Sequence, residues 1–348
     1  MNKKVYSILM IGAISVLASS CYKKWLPGEK PYFSNNCNFS QDQYTVYPDR
    51  TNVFYGIFNS DYSTQPMEIS LTNMTHSDGT PAPELTGQVD VLQWKDYYSG
   101  TEKSVDEIQA KRFSVKRPSF DIRSTSGDII FWPSDTTNIK PGTYIFDVIA
   151  KNAAGQKTFQ KFKLNVKRPR PYEPWYFNDD TGERNTENID GQTVPAYQHP
   201  SLSGVKDQQN IDIKNTDVRI YYVWKQSPTN TFSIKIYDKD SLPISFSRFN
   251  ATKWDSIRYY SQSANLNVQF GFNRRFSEDS TVVTYDRTNP YPVLADMQGE
   301  RAEISLTYER RYSGSRTFGG IRFSFALFKQ GGWDIIVKFS KNPRFEND

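Results

Sequence analysis

Histidine and cysteine are nearly absent, with two of each in 348 residues. His76 and His199 cannot supply a three-histidine zinc site, and neither stands in His-Glu-x-x-His or beside a second ligand at helical spacing. Both are expected as exposed loop residues, beside Thr75 and Pro200. The only thiols are Cys21 and Cys37, so once Cys21 is used elsewhere no intrachain disulfide can form and stability must come from packed cores. Catalytic motifs are missing too: there is no Gly-x-Ser-x-Gly elbow and no Gly-x-x-x-x-Gly-Lys phosphate loop, and Ser313-Gly314-Ser315 reads as a turn. A glycosidase needs two carboxylates across a sugar-sized gap, and 38 acidic residues make that signal unspecific. The charge surplus is small at +5, with Lys and Arg interleaved among Asp and Glu, which lacks the basic stripe of a nucleic-acid binder.

What is present starts at the N-terminus. Lys3 and Lys4 precede a mostly apolar stretch, Val5 to Leu17, followed by Ala18-Ser19-Ser20-Cys21. That is the layout of a bacterial signal peptide over residues 1–20, and the apolar stretch is shorter than the roughly 20 residues of a bilayer span. The small residues before Cys21 read as a lipobox: the thiol takes a diacylglycerol, and cleavage leaves an exported, lipid-anchored chain of 328 residues with net charge +3. The alternatives are an ordinary signal peptide cut elsewhere or a short membrane helix. Export makes nucleic acid an unsuitable partner. Residues 21–37, with Pro27, Gly28 and Pro31, form a tether. Tyr22-Lys23-Lys24-Trp25 carries no acidic residue after the cysteine, so the surface and the periplasmic face of an outer membrane both stay open.

Aromatics make up 15% of the chain, mostly Tyr and Phe, which favours strands. The fold expected is mostly β: an N-terminal immunoglobulin-like sandwich over residues 38–167 and a second β-sandwich or jelly roll over 209–348. In the first, strands are expected at Tyr44–Tyr47, Val53–Phe58 and Met67–Leu71, with a closing hairpin of Tyr144–Ala150 and Phe159–Val166. Ser104-Val105-Asp106-Glu107 has the capping-box pattern of a short helix. Residues 168–208 open with three prolines within Pro169–Pro174 and continue as a polar stretch, read as a stiff linker and a long loop. The second domain shows alternation at Val218–Trp224, Thr231–Tyr237, Asn265–Phe272, Thr281–Tyr285, Ala302–Tyr308, Ile321–Leu327 and Trp333–Phe339. A helix capped by Asn250 and turns at Gly319-Gly320 and Gly331-Gly332 are expected between them.

Two constellations carry chemistry. Trp94 with Tyr97 and Tyr98, and Trp175 with Tyr176, are aromatic clusters in loops, and flat apolar faces with polar edges suit stacking on sugar rings. Tyr222 and Trp224 share one strand face and Tyr221 takes the other, and whichever face points inward is expected as core. Asp179, Asp180 and Glu183 surround a turn glycine, as oxygen ligation of calcium requires, but without the spacing of a known loop motif; a solvated acidic turn is the plainer reading.

Several segments also resemble a family of Bacteroidota lipoproteins of unknown function: Cys21 to Pro27, Arg50 to Asn59, Asp78 to Leu85, Arg170 to Pro174, Gly332 to Ile336 and the Phe345-Glu346-Asn347-Asp348 end. Those proteins are often encoded beside SusC/SusD-like outer-membrane nutrient importers. The resemblance implies a cell-envelope lipoprotein associated with glycan or nutrient capture, and it brings no catalytic residues. The expectation is a non-catalytic glycan-binding accessory of an import system. A structural or protein-binding lipoprotein, and a hydrolase using a carboxylate pair, are the alternatives.

Overall fold

A computed structural model describes residues 30–133, 138–256, 258–259, 269–289 and 301–347. The segment read as a signal peptide, Cys21 and most of the segment read as a tether lie outside the described residues. Among the described residues no helix is long and apolar enough to cross a membrane. The fold is almost all β, in sandwich-like sheets.

The first half is built on the hairpin Gly142–Asn152 and Gly155–Val166. Asn152 Oδ1 accepts the Ala154 and Gly155 amides and closes its turn. Strand Glu68–His76 pairs antiparallel on one side and Gln43–Val46 parallel on the other. Against this sheet lies a second of three strands, Asn52–Phe54, Ile129–Phe131 and Phe120–Ile122. Alternation sends Tyr144, Phe146, Val148 and Ala150 inward, where Phe120 meets Phe146 edge-on at 4.9 Å. Both ladders slip beside Asp147, and its carboxylate takes the Lys161 amide and the Asn73 side-chain amide, each at 2.8 Å.

The second half packs a sheet ordered Val218–Lys225, Gly332–Phe339, Thr231–Tyr237, Val282–Asp286 and Phe272–Phe276 against one built on the hairpin Ala302–Tyr312 and Ser315–Leu327. Phe232, Ile234, Ile236, Ile335, Val337 and Phe339 from one sheet meet Ile304, Leu306, Ile321 and Phe325 from the other.

Several expectations need correction. Gly319-Gly320 is not a turn; it lies inside Ser315–Leu327, with Gly319 opposite Tyr308. The turn is Ser313-Gly314, both at positive φ, between Tyr312 and Ser315. Asn250 caps no α-helix: short 3-10 turns stand at Phe246–Arg248 and Trp254–Ser256. Its side-chain amide instead bonds the amide and carbonyl of Glu309, imitating a strand neighbour. Half of the strand expected at Asn265–Phe272, residues 265–268, lies outside the described residues, and the strand found is Phe272–Phe276.

Residues 168–208 are strand-bearing rather than a plain linker and loop. Tyr172–Glu173 and Ser201–Ser203 both pair with Ser315–Leu327, and Thr186–Ile189 pairs with Gln192–Pro195. These strands bury no continuous face, which is why no apolar period marks them. Arg50 ties this segment to the first sandwich: its guanidinium meets Glu173 at 2.7 Å, bonds the Arg170 carbonyl and lies 3.4 Å over the Phe328 ring. Arg301 meets the other oxygen of Glu173 at 2.9 Å.

An arm leaves the first sandwich between residues 88 and 118. It is an antiparallel ribbon, Gln88–Trp94 with Arg112–Pro118, carrying a helix at Val105–Ala110. Ser104 Oγ accepts the Glu107 amide, while the Glu107 carboxylate takes the Lys103 amide instead of that of Ser104. Tyr98 and Ile108 of this arm belong to the same buried apolar cluster as the second sandwich.

Candidate functional site

The ribbon and the three-stranded sheet together enclose a cleft of about 610 Å³. Trp94 and Arg112 are directly opposed across the ribbon, so the guanidinium lies 4.6 Å over the indole. Arg112 is only 7% exposed. Arg117, opposite Val89 further along the ribbon, reaches back to Gln93 Oε1 at 3.5 Å. Chain continuity then carries Pro118 into Phe120–Ile122, which brings Asp121 and Ile122 to the floor.

The far wall is made by two turns held by one acid. Asp128, buried, accepts from the Gly56 amide at 2.9 Å and from Ser126 Oγ at 2.7 Å, and its carboxylate meets Arg123 at 3.4 Å. Arg123 is thereby held 5.6 Å over the ring of Tyr55, itself 45% exposed. Trp132 completes the lining; its indole N–H is shielded from water and has no acceptor among the described residues. The cleft thus offers three aromatic rings, three arginines, hydroxyls from Thr51, Ser124 and Thr125, and one carboxylate, Asp121. Rings for stacking with donors at their margins are what recognition of a hydroxylated ring requires.

Of the residues singled out by sequence, Trp94 reaches this cleft, from the end of a strand and not from a loop. Its ring is half-buried and already in contact with Tyr98, stacked at 4.9 Å, and with Arg112. Tyr98 is buried, whereas Tyr97 is 79% exposed and outside the cleft lining. Trp175 and Tyr176 are half-buried elsewhere. Trp175 sits edge-on to Tyr172 at 5.1 Å and near Phe177 at 4.6 Å, and Tyr172 stacks on Tyr222 at 4.5 Å. Burial raises the Tyr176 hydroxyl above its usual range, with the Glu187 charge adding to it. These rings form an internal ladder along the second sandwich. Tyr222 and Trp224 part company: Tyr222 packs on the core, while Trp224 is exposed with Lys329 3.5 Å over its ring.

The acidic turn is committed to cations of its own chain. Asp179 pairs with Arg170 through two bonds, which with the Tyr47 hydroxyl hold its carboxyl below the usual range against the effect of burial, and Asp180 pairs with Lys167 at 2.9 Å. Glu183 is exposed and its amide bonds Thr181. Among the described residues no three His, Cys, Asp or Glu side chains gather to hold a metal ion.

The histidines are not free loop residues. His76 ends a strand and meets Glu84 at 3.0 Å, and His199, half-buried, joins the Val218 carbonyl at 2.6 Å to Glu187 at 3.0 Å. Sequence reasoning missed Tyr55, Arg112, Arg117 and Trp132. The usable signal was the paired alternation of Val89 and Val91 with Phe113 and Val115 on facing strands.

No curated protein matches the chain. Among solved structures, the insect immune protein hemolin is 8% identical with a TM-score of 0.21, covering 88% of this chain and 50% of its own. Mouse cadherin-23 EC22-24 is 12% identical with a TM-score of 0.19, covering 88% and 64%. A SusE-like surface-located polysaccharide-binding protein from the Bacteroides thetaiotaomicron heparin utilisation locus is 9% identical with a TM-score of 0.23, covering 87% and 53%. The chain thus spans about half to two thirds of the length of these structures. At such scores none of them carries a functional argument. A family description matches residues 58–347, and the chain belongs to that family, the domain of unknown function DUF5007.

Proposed function

We propose that this protein is a non-catalytic, lipid-anchored binding protein of the cell envelope that holds a saccharide in the cleft between the ribbon and the three-stranded sheet. The observation that carries the reading is the lining itself: an exposed Tyr55 and half-buried Trp94 and Trp132, with arginine and hydroxyl donors between them. Among the cleft-lining residues Asp121 is the single carboxylate, where hydrolysis by a carboxylate pair needs two. The lipobox residue Cys21 supplies the anchor, at an outer membrane whose face is left open, and an import system of the SusC/SusD-like kind is the partner implied by the family resemblance.

A glycan array probed with residues 22–348 tests the binding claim, with selective retention of one glycan class expected and no retention on any glycan contradicting it. Labelling of the expressed full chain with a radioactive fatty acid tests the anchor. Cys21→Ala is expected to abolish incorporation.

A further inference from the structure

The inward row of strand Ala302–Tyr312 runs Ala302, Ile304, Leu306, Tyr308 and then Arg310. An apolar row ends on a charge that is 4% exposed. Arg310 Nη2 donates to Asn210 Oδ1 at 2.8 Å, whereas Nη1, equally shielded, has no acceptor among the described residues. The nearby acids are committed elsewhere. Glu309 holds Arg316 at 2.6 Å, Asp212 holds Lys206 at 2.8 Å, and Asp207 Oδ1 accepts the amides of Gln209 and Ile211. A buried guanidinium without a counter-charge is unfavourable unless an anion completes it.

A cavity adjoins the residue. After Ser201–Ser203 pairs with the hairpin, the chain crosses it at Gly204, at positive φ, where a Cβ would lie 2.3 Å from the Phe318 carbonyl oxygen. That crossing leaves a cavity of about 390 Å³ with Arg310 in its wall and Lys206 and Arg316 beside it. Its other walls are rings: Tyr312, with Arg310 5.3 Å over it, and Phe318, 54% exposed with Arg316 5.9 Å over it.

We propose that this cavity is a second binding site, for an acidic saccharide whose carboxylate or sulfate ester pairs with Arg310 and whose ring lies against Phe318 and Tyr312. Bidentate geometry and a fixed charge make arginine the suited residue for such an oxyanion, and the exposed rings supply the apolar contact. The site lies in the second sandwich and stands independently of the cleft.

Titration calorimetry of residues 22–348 tests it with a chondroitin sulfate tetrasaccharide, its desulfated methyl ester and inorganic sulfate. The acidic tetrasaccharide is expected to bind at least tenfold tighter than the neutral ester, and more weakly as salt rises. Arg310→Gln is expected to lose at least tenfold, and Phe318→Ala, a rim change that leaves the core intact, at least threefold.

Equal binding of acid and ester, absence of binding, or unchanged affinity in a folded Arg310→Gln variant would overturn the proposal. Inorganic sulfate binding as tightly as the tetrasaccharide and indifferent to Phe318→Ala would reduce the site to a simple anion pocket and overturn the saccharide assignment. Affinity lost in Arg117→Ala but kept in Arg310→Gln would put the ligand in the cleft, overturning this site alone.

Discussion

Arg112 lies with its guanidinium 4.6 Å over the ring of Trp94, the residue directly opposite it across the ribbon. The pair leaves the Arg112 charge in the cleft wall only 7% exposed. Arg112→Ala removes both the cation–π contact and its packing, and is expected to cost about 1–3 kcal/mol in chemical denaturation, with a changed Trp fluorescence spectrum in the native state. An unaltered spectrum and stability would show that the pair does not order the ribbon.

Gly319 faces Tyr308 so closely that a Cβ would stand 2.2 Å from the Tyr308 ring carbon Cζ. Gly319→Ala therefore forces Tyr308 out of the core row, at an expected cost of about 2–4 kcal/mol measured by denaturant unfolding.

Asp147 satisfies two bulges at once, through the Lys161 amide and the Asn73 side chain. Its replacement by Ala leaves the Lys161 donor without a partner beside a buried strand and is expected to cost about 2–3 kcal/mol. Asp147→Asn, which retains one acceptor, is expected to cost less.

Burial raises the Asp49 carboxyl to about 6, with the Glu173 charge adding to it and Arg50 opposing it. The native state therefore holds this proton more tightly than the unfolded chain. The sign follows: the penalty is absent below about pH 4, grows as pH rises to about 6 and is complete above it. Asp49→Asn is expected to be more stable than the wild type at pH 7.5 by about 1–3 kcal/mol, the difference vanishing by pH 4. Denaturation curves at the two pH values check both the size and the sign.

Strands with one deeply buried face were legible in the sequence. Tyr144–Ala150, Thr231–Tyr237 and Trp333–Phe339 alternate because one side of each is core; the structure has the second with the expected bounds and the other two within longer strands. The ribbon left only a faint alternation, because of Val89 and Val91 only Val91 is fully buried. Gly319-Gly320 misled because glycine marks both turns and close approaches, and only the Tyr308 ring opposite tells them apart. For the cleft, Trp94 stood out as an aromatic, while Tyr55, Arg112, Arg117 and Trp132 are brought to it by pairing across 78 residues of chain and share no local pattern. The Trp175 cluster had the right composition for an exposed platform but is half-buried, with Trp175 packed on Tyr172 and Phe177.

The most direct measurement is calorimetric titration of residues 22–348 with the glycan selected on the array, beside a Tyr55→Ala/Arg117→Ala double variant. Both side chains are exposed at the cleft and away from the cores, so the variant is expected to keep the wild-type circular dichroism spectrum. A loss of at least tenfold in affinity is the result expected of a saccharide held in the cleft. Unchanged affinity in the folded double variant would contradict it.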